Sequence, residues 1–222
     1  MPAAASLDDL RLVRDALNGL SGRARREFEA AWHRYADDPE RLFRAYVAIA
    51  SGYGELAAGL GADVFEMQAE NVGIRGRATL ATVSERNAAR RLGWVLTQDE
   101  PLGNATTVLD ELVKGGYRDT FAMSAGAVSA GWARVPTGAT TCAFCLMLAS
   151  KGASYRTERA AGGRGNSYHG HCDCQQVLVV DEYPPGYDPD ELLEQWYAAQ
   201  DAAERPDFRS TLAELRKQHG IH

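Results

Sequence analysis

All four cysteines of this chain lie between positions 142 and 174, as CAFC at 142–145 and YHGHCDC at 168–174. That crowding constrains the fold more than any other feature. A disulfide framework spreads its cysteines through the sequence, whereas thiols and imidazoles gathered within one loop's reach are the donor set of a tetrahedral ion. At 222 residues the chain is also long enough to bury a core without covalent staples. The cluster therefore reads as a zinc site. Two residues between Cys142 and Cys145 let both sulfurs converge on one ion, and a helix starting there favours the thiolate through its N-terminal dipole.

The second half of the cluster offers more donors than zinc needs. His169 and Cys172 are three apart, a spacing that a tight turn brings together. Cys172 and Cys174 share a face if the segment is extended. The ranking is Cys142, Cys145 and Cys172 as ligands with His169 fourth; Cys174 is the main competitor, with His171 behind it. Spare residues are expected to orient the ligands. A thiolate-rich set quenches the Lewis acidity that hydrolysis needs, and the carboxylates nearest in sequence are Asp173 and Glu158. The site therefore reads as architectural, and the chain as no enzyme.

The rest of the chain reads as mainly α: a helical domain over 1–130, a small α+β zinc-binding module over 131–182 and a helical C-terminal arm over 183–222. Ser6 is an N-cap candidate, with Asp9 completing a capping signature before a stripe of Leu7, Leu10, Val13, Leu17 and Leu20. Asp38-Pro39 opens a second helix, continuing to about Glu70 on a face of Leu42, Tyr46, Ile49, Tyr53, Leu56 and Leu60. Gly52, Gly54, Gly59 and Gly61 predict a break or a close helix contact within it. Further helices are expected over 84–97 and 106–125, separated by the turn signal DEPLGN. Trp32 and His33 read as core or boundary residues.

After Gly131, WARV and QVLVV read as strands, CAFCLMLASKG as a short helix and 155–167 as a polar, glycine-rich loop. Arg156, Arg159 and Arg164 on that loop are candidates for contact with phosphate, against the plainer reading of a solvated loop. Asp188-Pro189 opens a helix carrying Leu192, Leu193, Trp196 and Tyr197, and a last helix covers 208–218 with Leu212 and Leu215. Helices this short are marginal alone in water, so the arm is expected to dock on a partner or to fold back on the helical domain.

A net charge of −6 provides no global field toward nucleic acid or an anionic membrane. No long apolar run or signal-like N-terminus appears, so the chain reads as soluble and unsecreted.

The stretch VPTGATTCAFCLMLASKGASYRTE, followed by YHGHCDCQQVLVV, resembles the C-terminal module of the minor head proteins of tailed bacteriophages. These form the Mu F-like head morphogenesis family, and the likeness is strongest to versions from phages of actinobacteria. The family's CxxC and HxxCxC motifs fall on Cys142, Cys145, His169, Cys172 and Cys174, with His171 as an extra histidine. The resemblance covers 131 to about 180 and implies a protein of the virion, in the capsid interior or portal region, assembled in the host cytoplasm. It implies the portal or the major capsid protein as partner, with packaged DNA a further contact, and a role in head assembly or in DNA packaging and delivery. Some relatives are described as capsid maturation proteases, which keeps a protease as the alternative and a zinc-supported nucleic-acid-binding or nuclease module as another. No Ser/His/Asp or Ser/Lys arrangement in the sequence supports proteolysis.

Overall fold

Helix α1 (Leu7–Arg34) begins where its local chemistry requires. The Asp9 N–H donates to Ser6 Oγ at 3.1 Å, and the Ser6 N–H donates to the Asp9 carboxylate at 2.9 Å, so two otherwise orphaned donors are satisfied reciprocally. Those bonds from Ser6 hold the Asp9 carboxyl below its ordinary pKa. Helix α2 (Pro39–Asn71) starts at an Asp38 cap with proline in its first turn, and α3 (Glu85–Val95) starts at a Ser84 cap. The computed structural model describes residues 3–139, 141–154 and 172–221. Among them the chain is mainly helical, with seven α-helices and one two-stranded sheet.

Helix α4 (Pro101–Ala127) starts earlier than the turn signal suggests. Its N-cap Glu100 adopts a left-handed conformation at φ 54° and gives no side-chain cap, so Pro101 begins the helix by its preset φ alone. Pro101 to Asn104 belong to the helix and not to a separating loop.

The glycines of α2 produce a close contact and no break. A Cβ on Gly61 would stand 2.7 Å from the Tyr117 carbonyl oxygen of α4, and one on Gly116 would stand 2.0 Å from the Gly54 carbonyl oxygen. The two backbones approach this closely because neither carries a side chain at the crossing. Gly52 and Gly59 face open space.

Strands β1 (Gly131–Val135) and β2 (Gln175–Val179) pair antiparallel, from Gly131 opposite Val179 to Val135 opposite Gln175. Their buried side chains Trp132, Ala133, Val135, Val177 and Leu178 belong to the same apolar cluster as Phe28, Tyr46, Phe65, Tyr117 and Phe121 of the helices. Trp132 meets Phe121 edge to face at 6.4 Å, and Phe121 meets Phe65 at 5.9 Å. The fully buried Gln68 of α2 satisfies β2: its amide donates to the Gln176 carbonyl at 3.2 Å and its oxygen accepts the Leu178 N–H at 2.8 Å. A side-chain amide thus stands where another strand would pair.

Helix α5 (Ala143–Ala149) leads into a 3-10 turn at Gly152–Ser154, and the chain ends in α6 (Pro189–Ala202) and α7 (Phe208–Gln218). Asp188 and Asp207 cap the last two helices. Ala199, Leu212 and Leu215 bury themselves with Ala143 in a second, smaller cluster, flanked by Phe144, Leu146, Met147 and Trp196. The C-terminal helices therefore seat on α5. The expected apolar patch is divided: Leu192 packs on the main core, Trp196 on the small cluster, and Tyr197 is 54% exposed. Trp32 packs partly buried against the main core, and His33 is exposed.

Candidate metal centre

Two ends of chain converge at the cysteines. Cys142 is the N-cap of α5, and its Sγ accepts the Cys145 N–H at 3.3 Å. Cys172 and Cys174 lie in the segment that runs straight into β2, so the sheet register fixes their position relative to Thr137 and Thr141 beyond the end of β1. The sulfurs of Cys145, Cys172 and Cys174 all lie within 4.8 Å of one another, and the Cys145–Cys172 Sγ separation is 3.3 Å. All three are buried, Cys142 is half-buried beside them, and all four are free thiols.

These distances suit coordination. A disulfide needs about 2.05 Å. Sulfurs sharing a tetrahedral ion, each about 2.3 Å from it, stand about 3.8 Å apart. The Cys145–Cys172 separation of 3.3 Å lies far nearer that value than a disulfide's, and the third sulfur is within 4.8 Å of both.

The same crowding makes the thiols titrate as a group. Cys145 is pushed up because its thiol donates to Cys142, Cys172 and Cys174, with burial adding to the effect. Cys172 is pulled down because it accepts from Cys145 and Cys174, and the nearby Arg118 guanidinium favours its thiolate. Cys174 is pushed up by Cys172 and by complete burial, which outweigh the opposing bond with Cys145. A cation bound by these sulfurs would displace thiol protons, so its affinity would rise with pH.

Asp173, between Cys172 and Cys174, is held from several sides. Thr137 Oγ1 donates to the Asp173 carbonyl at 2.5 Å, Gln175 Nε2 to the same oxygen at 3.2 Å, and Thr141 Oγ1 to the Asp173 carboxylate at 3.3 Å. Burial and the neighbouring Cys172 raise the Asp173 carboxyl. A Cβ on Gly138 would fall 1.7 Å from that carboxylate, so a larger residue there would have to displace the Asp173 side chain. From α4, the buried Arg118 reaches Cys172, its Nη2 donating to the carbonyl at 2.9 Å.

Among the sequence-predicted ligands, the structure brings Cys145, Cys172 and Cys174 into the tight group and sets Cys142 at its edge. His169, His171, Arg156, Arg159 and Arg164 lie outside the described residues. Sequence reasoning passed over Thr137, Thr141 and Arg118. No local pattern marks Arg118, which lies on a helix far away in the chain and reaches the centre through tertiary packing alone.

With this geometry established, the comparisons with known proteins add a family. The model described as VG15 protein matches residues 1–199. The chain belongs to the VG15 protein family. It is accordingly a phage protein. The match to the VG15 family takes in the helical core, the sheet and the whole cysteine centre. No curated protein matches the chain, and no solved structure matches it. No described helix is long and apolar enough to cross a membrane.

Proposed function

We propose that this VG15-family protein is a minor capsid protein of head morphogenesis, acting in head assembly or in DNA packaging and delivery near the portal, and that its cysteines hold one structural zinc ion. The observation that carries the metal reading is the convergence of the Cys145, Cys172 and Cys174 sulfurs within 4.8 Å in a buried setting. Cys142 or His169 supplies the fourth donor. Zinc fits a sulfur-rich tetrahedral set, and such a set closes the ion to substrate, so its contribution is to folding. The head-assembly reading rests on the family's phage character together with the CxxC and HxxCxC resemblance to minor head proteins. Its partners in this reading are the portal or the major capsid protein, and its place is the virion.

Elemental analysis of protein purified without added metal tests the first half, with one zinc per chain expected. A zinc content near zero, with the cysteines paired as disulfides by mass spectrometry, overturns it. Cryo-EM of the procapsid tests the second: density for this chain at the portal vertex is expected, and its absence from both procapsid and virion overturns the assembly role.

A further inference from the structure

We infer that Arg118 of α4 is a positioning residue for the cysteine centre: its guanidinium fixes the Cys172 backbone and supplies positive charge against a thiolate cluster that carries net negative charge when metallated. The inference rests on the metal reading above and goes beyond it by naming the group outside the ligand set on which metal affinity depends.

Three observations carry it. Arg118 is 3% exposed, and a buried guanidinium is retained in an interior only where anionic or carbonyl groups compensate its desolvation. Its Nη2 donates at 2.9 Å to the carbonyl of Cys172, one of the three converging residues, so it sets where that sulfur's backbone sits. Its own backbone carbonyl accepts from Gln176 Nε2 at 3.0 Å. Arg118 therefore grips the segment containing Cys172 and Cys174 at two points, one on each side of Cys174.

The electrostatics agree. Three or four thiolates around a divalent cation leave a net charge of about −1 or −2, and burying that charge is costly without a compensating cation or N–H donors. One turn back on the same helix, Lys114 pairs with Asp110 at 2.9 Å and is that carboxylate's stronger cationic partner, ahead of Arg118. The Arg118 guanidinium reaches instead to the Cys172 carbonyl, beside the converging sulfurs. Arginine suits the role because its charge is permanent and its fork spans a carbonyl and a neighbouring anion together.

The test compares wild type with Arg118→Lys and Arg118→Met. It measures zinc affinity by competition with a chromophoric chelator, the visible spectrum of the cobalt-substituted protein, and the stability of each metal-free form. Loss of a group that orients ligands typically weakens metal affinity by about 10- to 100-fold, and that loss is expected for Arg118→Met, with an altered cobalt spectrum. Arg118→Lys, which keeps the charge and a donor but loses the fork, is expected to bind zinc more tightly than Arg118→Met and less tightly than wild type. Unchanged zinc affinity in Arg118→Met, with only the metal-free stability lowered, would make Arg118 a packing residue and overturn the inference. A folded Arg118→Lys that binds zinc no more tightly than Arg118→Met overturns it as well. A wild-type protein that takes up neither zinc nor cobalt overturns the metal reading itself, a result distinguishable from either of these.

Discussion

The two apolar clusters of this molecule are built on different terms. The larger holds Phe28, Tyr46, Phe65, Tyr117, Phe121 and Trp132, contributed by α1, α2, α4 and β1, and its helices meet at a glycine-lined crossing. The smaller buries Ala143, Ala199, Leu212 and Leu215 under a rim of Phe144, Trp196 and Phe208, with Trp196 and Phe208 rings 5.9 Å apart. Burial of large side chains at about 25 cal/mol per Å² suffices for the first. The second removes little area from water, and the helix at its centre, α5, is only 7 residues long. Under the proposed zinc reading, a short helix anchored at its first turn by coordinated sulfurs needs no large core of its own. The difference teaches that a bound ion would be worth most where burial is least.

The sharpest way to break this comparison is Cys145→Ser. Structural zinc contributes on the order of 10 kcal/mol to folding, so loss of the ion is expected to release α5, α6 and α7 while α1, α2 and α4 stay folded. Hydrogen exchange reads both regions in one experiment. Equal loss of protection in α2 and α4 would mean that the two clusters stand or fall together.

A smaller effect is expected at the buried ion pair within the large core. Burial opposes the charge of Asp110, but Lys114, Ser21 and Arg118 outweigh it and hold the carboxyl below its ordinary pKa. Because the folded pKa lies below the unfolded one, its stabilising contribution is complete above the ordinary carboxylate range and is lost as pH falls through the folded value. Asp110→Asn is expected to cost about 3 kcal/mol at neutral pH, since it strands the buried Lys114. That difference from wild type should shrink in acid, which urea titrations at pH 7 and pH 3 measure. A gap between the two proteins that does not change with pH would assign the cost to packing and not to charge.

The smallest expected effect sharpens the description of the large core. Gly116→Ala places a methyl group against the Gly54 carbonyl oxygen, so α2 and α4 must separate, at about 2 kcal/mol. Thermal unfolding should record the loss with zinc content unchanged. A fall in zinc content would show that the crossing and the cysteine centre are strongly coupled.

Much of the fold was legible because helix ends are local chemistry. Ser6 with Asp9, Asp38 with Pro39, and Asp188 with Pro189 each cap the helix expected from them, and the last helix spans the residues read for it. Strands at WARV and QVLVV followed from composition in the same way. The start of α4 was missed because its cap is an Glu100 backbone conformation and not a capping side chain. The cysteine cluster announced itself by spacing.

What the sequence determined by itself, then, is where helices begin, which faces are apolar, and that four thiols gather in one place. Only the tertiary structure decided that α2 and α4 touch through Gly54, Gly61 and Gly116, and that α6 and α7 rest on α5. It also placed Cys174 with Cys145 and Cys172, and brought Arg118 to the Cys172 carbonyl. The physical reason is range: caps and periodicity act within a few residues, whereas these contacts join positions remote in the chain and exist only once the core has closed.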